Sequence, residues 1–177
     1  DKCQVYKLKG SDFEDTKASV LGDYIPAKAQ MDEGERAVYL APTKEYEGFL
    51  LFFFENGKAA KVEMGAYQTK QNRRKLLNAY SDKSPLAAVL YLKEDGEVLV
   101  TASSGRMLLF HTGLILPKTT KNTQGVQVMN VKKGQRLMNA VVYEEGMLQK
   151  PERYKKKLPA LGALPGEEET AGEQLTM

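Results

Sequence analysis

The feature of this sequence that most restricts its fold is an internal repeat at a constant offset of 48 residues. The segment Gly48-Phe49-Leu50-Leu51-Phe52-Phe53-Phe54-Glu55-Asn56-Gly57-Lys58 aligns with Gly96-Glu97-Val98-Leu99-Val100-Thr101-Ala102-Ser103-Ser104-Gly105-Arg106, so both glycines and the cation after the second coincide. At the same offset Lys70 falls on Lys118 and Arg73 on Lys121, while the apolar stretches Leu86 to Leu92 and Leu137 to Tyr143 close the two units. A partial third copy opens the chain. Cys3-Gln4-Val5-Tyr6-Lys7-Leu8 stands where Gly57 to Val62 and Gly105 to Phe110 stand, and Ala37-Val38-Tyr39-Leu40 supplies its closing strand. The opening strand of that copy would precede residue 1. Together with an aspartate at position 1, this leads us to expect a piece of a longer polypeptide.

Each unit reads as short β-strands: an apolar run, a turn at Asn56-Gly57 or Ser104-Gly105, then a second run such as Arg106 to His111. No segment holds a 3.6-residue period over three turns, although Gln71 to Tyr80 also accommodates one or two helical turns. The expected class is all-β. Tandem four-stranded units of about 40 to 50 residues are how propeller blades look in sequence, because one blade alone cannot bury both of its faces. Residues 1–47 form a partial first blade, 48–95 a second and 96–150 a third, within one repeat domain. Residues 151–177 read as a linker and an acidic tail. The pattern decays there through Lys155-Lys156-Lys157, Pro159, Gly162, Pro165 and Gly166 into a glutamate-rich end expected to be disordered.

Composition narrows the functional classes. Cys3 is the only cysteine, so an internal disulfide framework is excluded, and no Cys/His cluster suggests a structural zinc; this suits a reducing cytoplasm. The longest apolar run, Phe49 to Phe54, is far short of the roughly 20 residues of a membrane helix. The net charge of +3 conceals an asymmetry: residues 1–47 hold 7 basic and 10 acidic side chains, whereas residues 48–136 hold 14 basic and 6 acidic. The last twelve residues carry Glu167, Glu168, Glu169 and Glu173 and no cation, so such a tail could compete for the basic surface. Unchanged affinity of that surface for a polyanion after deletion of residues 166–177 would dispose of that idea.

Ser104-Gly105-Arg106 followed by Lys118-Thr119-Thr120-Lys121-Asn122-Thr123-Gln124-Gly125-Val126 resembles the repeat of gyrase and topoisomerase IV A subunits, with the Thr-x-Gly-Val ending its most specific part. The resemblance covers about residues 1 to 143, closest in the last unit and weakest in the first. It implies a β-pinwheel, a propeller-like disc whose blades swap strands, with duplex DNA bent around a basic rim. The family's Gln-Arg-Arg-Gly-Gly-Lys-Gly box is absent; the nearest string, Gln71-Asn72-Arg73-Arg74-Lys75, lacks its glycines, so the resemblance carries DNA bending but not full wrapping. The DNA-cleaving tyrosine of the family lies in a separate N-terminal region, so this chain is expected to be non-catalytic. The implied partners are duplex DNA, the ATPase B subunit and the rest of the A subunit, in the bacterial cytoplasm near the nucleoid. No cofactor is expected in this part; ATP and Mg belong to the rest of the holoenzyme. Self-association through exposed blade edges is a further expectation.

Phosphate binding gains affinity from released counterions and needs only dispersed cations. The candidates recur by repeat: Lys58 and Arg106 follow the hairpin glycines, and Lys70, Arg73, Arg74 and Lys75 answer Lys118 and Lys121. Lys132 and Lys133 precede Gly134 in a turn whose counterpart in the first unit is Asp32-Glu33-Gly34. Ser103, Ser104, Thr119, Thr120 and Thr123 are further phosphate donors or turn formers. The bland alternative makes each cation a solvated loop residue and the domain a propeller-type protein-interaction module. A catalytic centre in the disc is disfavoured: His111 ends a strand with apolar neighbours, Cys3 has no local partner for an activated pair, and no acidic pair stands at a recognisable spacing. The aromatic runs are expected to be core strands, not base-stacking platforms.

Overall fold

The structure, a computed structural model, describes residues 1–71, 73–167 and 169. The expected disorder of the acidic tail, with Glu168 and Glu173, falls largely outside the described residues.

Strands β2 (Phe49–Phe54) and β3 (Lys58–Glu63) form an antiparallel hairpin through Asn56-Gly57, and β6 (Glu97–Ala102) and β7 (Met107–His111) repeat it through Ser104-Gly105. The closing strands β5 (Leu86–Leu92) and β9 (Leu137–Val142) pair antiparallel with β2 and β6. Even the irregularities repeat: the register shifts between Phe53 and Phe54 and again between Thr101 and Ala102, the same place in each unit. The uninterrupted apolar run of β2 follows from burial on both faces. Leu51 and Phe53 pack with Val98, Val100, Leu108 and Phe110, whereas Leu50, Phe52 and Phe54 pack with Val62, Met64, Tyr67 and Tyr80. A strand covered on both sides has no solvent face to alternate with. In β6 the two-residue period survives, with Val98, Val100 and Ala102 buried between half-buried neighbours.

The sheets are joined by strand exchange. β4 (Lys75–Leu76) pairs with β1 (Val5–Tyr6) of the first unit, and β8 (Val126–Gln127), from the third unit, pairs with β3 of the second. The resulting orders are β1-β4, β5-β2-β3-β8 and β7-β6-β9. β5 lies against β9 of the adjoining sheet, so β8 occupies the edge farthest from that contact.

Three sequence expectations need correction. Residues 151–166, where the sequence suggests a linker, are packed: Met107 and Ala163 exchange backbone hydrogen bonds of 2.8 and 2.9 Å, Leu109 N–H donates to Tyr154 O at 3.0 Å, and Tyr154 is fully buried. Without this segment β7 would present a bare row of N–H and C=O groups; it takes the place on β7 that β8 takes on β3. Ala37 to Leu40 forms no strand; Val38 and Leu40 are exposed, and Tyr39 Oη accepts a 2.9 Å hydrogen bond from Tyr91 N–H. Of the segment that also accommodated a helical turn, Gln71 and Arg73 to Tyr80 are described; they are not helical and contain β4. A short α-helix spans Ile25–Ala29.

Candidate nucleic-acid interface

Strand exchange requires the chain to cross from one sheet to the next, and the crossovers are where the cations gather. Residues 68–74 lead into β4 and carry Lys70, Arg73 and Arg74, with Lys75 opening the strand. Residues 116–125 lead into β8 and carry Lys118 and Lys121; residues 155–162 lead into Ala163 and carry Lys155, Lys156 and Lys157. The third set was not singled out by sequence, because its unit has no counterpart at the 48-residue offset. Lys7 joins the first set, its Nζ donating to Thr69 Oγ1 at 2.6 Å across the exchange.

The crossovers are pinned by their backbones. Lys118 N–H donates to Lys61 O and Glu63 N–H to Lys118 O, both at 2.9 Å, and Lys7 N–H donates to Arg74 O at 2.6 Å. The joints themselves use glycine. Gly125 has φ +73°, and a Cβ there would stand 2.1 Å from Ala59 O; Gly162 has φ +78° and its Cβ would stand 2.7 Å from Met107 O. The glycine of the Thr-x-Gly-Val string is therefore the point where the exchanged strand meets its new sheet at a distance that admits no side chain.

The remaining candidates divide into three groups. Lys58 and Arg106, equivalent by repeat, perform equivalent tasks: Lys58 Nζ donates to Gln124 Oε1 at 3.4 Å and Arg106 Nη1 to Gly162 O at 2.9 Å, so each ties its hairpin to the crossover passing over it. Lys70, Arg73 and Lys118 are exposed and Lys121 half-buried, and none has a carboxylate partner among the described residues. Arg74 and Lys75 are already engaged, Arg74 at 3.8 Å from Asp12 Oδ2 and Lys75 at 2.6 Å from Asp32 Oδ2. The hydrogen bond from Lys75 holds the Asp32 carboxyl below its ordinary value, and the same bond pushes the Lys75 ammonium up. In the third crossover Lys155 pairs with Glu152 at 3.0 Å and Glu97 at 3.2 Å. Lys132 and Lys133 are exposed but off the crossovers, in a turn closed by Gln135 N–H to Lys132 O at 2.9 Å, beside the hairpin turns. Thr123 Oγ1 accepts from Gly125 N–H at 3.4 Å, a turn contact.

One buried cation escaped the sequence reading. Lys61 of β3 is 2% exposed; its Nζ lies 2.5 Å from Asp95 Oδ1, 3.4 Å from Thr112 O and 4.3 Å from the centroid of the Phe49 ring. Thr112 Oγ1 donates to the same Asp95 oxygen at 2.6 Å and accepts from Gly96 N–H at 3.0 Å. Burial pushes the Asp95 carboxyl up, but the hydrogen bonds from Lys61 and Thr112 outweigh it and hold the group below its ordinary value. Lys61 belongs to the second sheet, Asp95 and Thr112 flank the third, and the network clasps the two together. The other singular residues have local roles. His111 Nδ1 accepts from Gly113 N–H at 3.1 Å, and burial pushes the Cys3 thiol up, away from reactivity. Among the described residues no helix is long and apolar enough to cross a membrane.

Comparison with known proteins places this architecture. No family model matches the chain. It is 21% identical over 145 residues to the gyrase A protein of Borrelia hermsii (strain HS1 / DAH), a match covering 81% of this chain and 18% of that protein. Among solved structures it resembles the C-terminal domain of DNA topoisomerase IV (TM-score 0.72, 19% identity, 87% of this chain and 53% of that one). It also resembles the C-terminal domain of DNA gyrase A (TM-score 0.64, 16% identity, 92% and 56%) and that of E. coli ParC (TM-score 0.61, 13% identity, 85% and 68%). The fold is that of these domains, a strand-exchanged β-pinwheel. The chain spans only 18% of the curated relative it matches and little more than half of the first two solved domains.

Proposed function

We propose that the chain is the DNA-binding and DNA-bending part of a type IIA topoisomerase A subunit, holding a duplex segment along its crossovers for strand passage performed elsewhere in the enzyme. The observation that carries this reading is the recurrence, on successive crossovers, of cations with no carboxylate partner among the described residues, Lys70 and Arg73 on one and Lys118 and Lys121 on the next. Each is anchored on a backbone fixed by strand exchange. Cations presented this way meet a phosphate track with little ordering cost. Lys156 and Lys157 extend the set to the third crossover. In this reading the rest of the A subunit supplies DNA cleavage and a B subunit supplies Mg-dependent ATP hydrolysis, in the cytoplasm beside the nucleoid. The two-stranded first sheet is the edge through which copies would associate.

The test is the affinity of the 177-residue chain for a duplex of about 40 base pairs across a salt series, where each phosphate contact contributes roughly 0.9 to the slope of log K against log salt. Reversing Arg73, Lys118 and Lys121 to glutamate is expected to flatten that slope; Lys132→Glu/Lys133→Glu should change it less. Binding that is absent at low salt, or indifferent to the crossover variants, would turn the reading toward a protein-interaction module.

A further inference from the structure

We propose that the first unit masks its own crossover: Asp12 and Asp32 occupy the positions of phosphates on Arg74 and Lys75, so duplex DNA must displace them before the first crossover can engage. This inference rests on the DNA-binding reading above, and concerns where along the disc that binding is strong.

Four observations support it. The two engaged cations share a crossover with Arg73 and Lys70, yet differ from them in having anionic partners among the described residues. Both partners come from the first unit, the only one of the three whose acidic side chains outnumber its basic ones, 10 to 7 over residues 1–47. The carboxylates are also held in place by bonds other than the ion pairs. Asp12 Oδ2 accepts from Lys9 N–H at 2.9 Å; Asp32 Oδ2 accepts from Gln4 Nε2 at 3.2 Å, and its turn is closed by Glu35 N–H to Asp32 O at 3.1 Å. Lastly, Tyr6 anchors that turn by donating to the buried Glu35 at 2.5 Å, and Tyr6 is the residue that pairs with Lys75 in the exchanged sheet. Strand exchange therefore delivers Lys75 to a site where a carboxylate already waits. On the second crossover neither Lys118 nor Lys121 meets such a group among the described residues.

An anchored carboxylate competes with a phosphate without losing freedom of its own, so it weakens local DNA binding while leaving the crossover folded. The expected consequence is a graded track: strong at the second crossover, attenuated at the first, and sensitive to acidic residues that never touch DNA.

Binding to the same duplex distinguishes the possibilities. Asp12→Asn/Asp32→Asn keeps the hydrogen-bond acceptors and removes the charges, and is expected to bind roughly three- to tenfold tighter at low salt, with a slope steeper by up to about 1.8 for two released contacts. The control Glu14→Gln/Asp15→Asn makes the same change in net charge at exposed residues of the same unit, and is expected to gain less than about twofold, because neither carboxylate pairs with a cation among the described residues and its removal frees no phosphate-binding group. Lys75→Gln should abolish the gain contributed by Asp32→Asn. Equal affinity of wild type and Asp12→Asn/Asp32→Asn, with thermal melts showing both folded, would overturn masking while leaving DNA binding intact; so would a gain matched by the control. If wild-type binding is indifferent to Arg73→Glu/Lys118→Glu/Lys121→Glu, the underlying reading fails, and masking with it.

Discussion

Replacing Asp95 with asparagine asks whether the clasp between the second and third sheets stabilises the domain. Lys61 is 2% exposed, and its ammonium has three acceptors: the Asp95 carboxylate at 2.5 Å, Thr112 O at 3.4 Å and the Phe49 ring at 4.3 Å. Only the first carries charge. Removing one member of a buried ion pair typically costs about 3–5 kcal/mol, because the other is left desolvated and unpaired. Asp95 is itself 34% exposed and asparagine keeps a neutral acceptor, so the expected cost lies lower, about 2–3 kcal/mol. Lys61→Met removes the ammonium and keeps most of the apolar stem, and should cost only about 1 kcal/mol. The double variant is then expected to resemble Lys61→Met alone, giving a coupling of about 2 kcal/mol in a urea-unfolding cycle. The sign of the pH dependence follows from the depressed Asp95 carboxyl. Its contribution is complete above the unfolded carboxyl value of about 3.9 and is lost as the pH falls from there through the lower folded value. Lys61→Met should blunt that acid loss. An Asp95→Asn protein as stable as wild type, or single effects that add within about 0.5 kcal/mol, would refute the clasp.

Two further substitutions probe the exchange itself. Gly125→Ala places a Cβ 2.1 Å from Ala59 O at a φ of +73°, and should cost at least about 3 kcal/mol by urea unfolding. Gly22→Ala, with nothing within 4 Å, should stay within about 0.5 kcal/mol. Tyr154→Ala removes a fully buried ring, and an expected loss of about 3–5 kcal/mol should come with faster hydrogen exchange at the Met107 and Leu109 amides. Exchange rates there equal to wild type would mean that residues 154–163 do not complete the third sheet.

The repeat made the long strands legible because they are long and apolar, and β2, β3, β5, β6, β7 and β9 lie where the alignment puts them. Their exchange was implied by the family resemblance, but the strands that make it were not legible in the residues. The strands that cross over, Lys75–Leu76 and Val126–Gln127, are two residues long, too short to carry a period. Partner choice is a tertiary matter that a unit boundary drawn at residue 95 cannot express. Gly125 was visible as part of a string, but its reason, the Ala59 carbonyl against it, appears only in three dimensions. Residues 151–166 looked like a linker because Pro, Gly and Lys dominate them, whereas the fully buried Tyr154, with Leu158, Ala160 and Ala163 packed on the core, decides otherwise. The cations were found by position, and their state was not. Arg74 and Lys75 look like Arg73 and Lys70 in sequence, and differ because Asp12 and Asp32, distant in the chain, reach only the first pair.

Lys61 shows why stability and the candidate binding edge cannot be treated separately. Its ammonium clasps Asp95 of the next sheet, while its carbonyl receives the Lys118 N–H at 2.9 Å, and the neighbouring Glu63 N–H returns a bond to Lys118 O. One residue of β3 therefore positions the third sheet with its side chain and the second crossover with its backbone. Displacement of β3 when the clasp is lost would move the segment that presents Lys118 and Lys121, although neither touches Asp95. The side chain of Lys118 is free of those backbone bonds, so Lys118→Glu should leave unfolding nearly unchanged while weakening DNA binding. Asp95→Asn should alter both, since the geometry that spaces the cations along the disc is the geometry that the clasp holds.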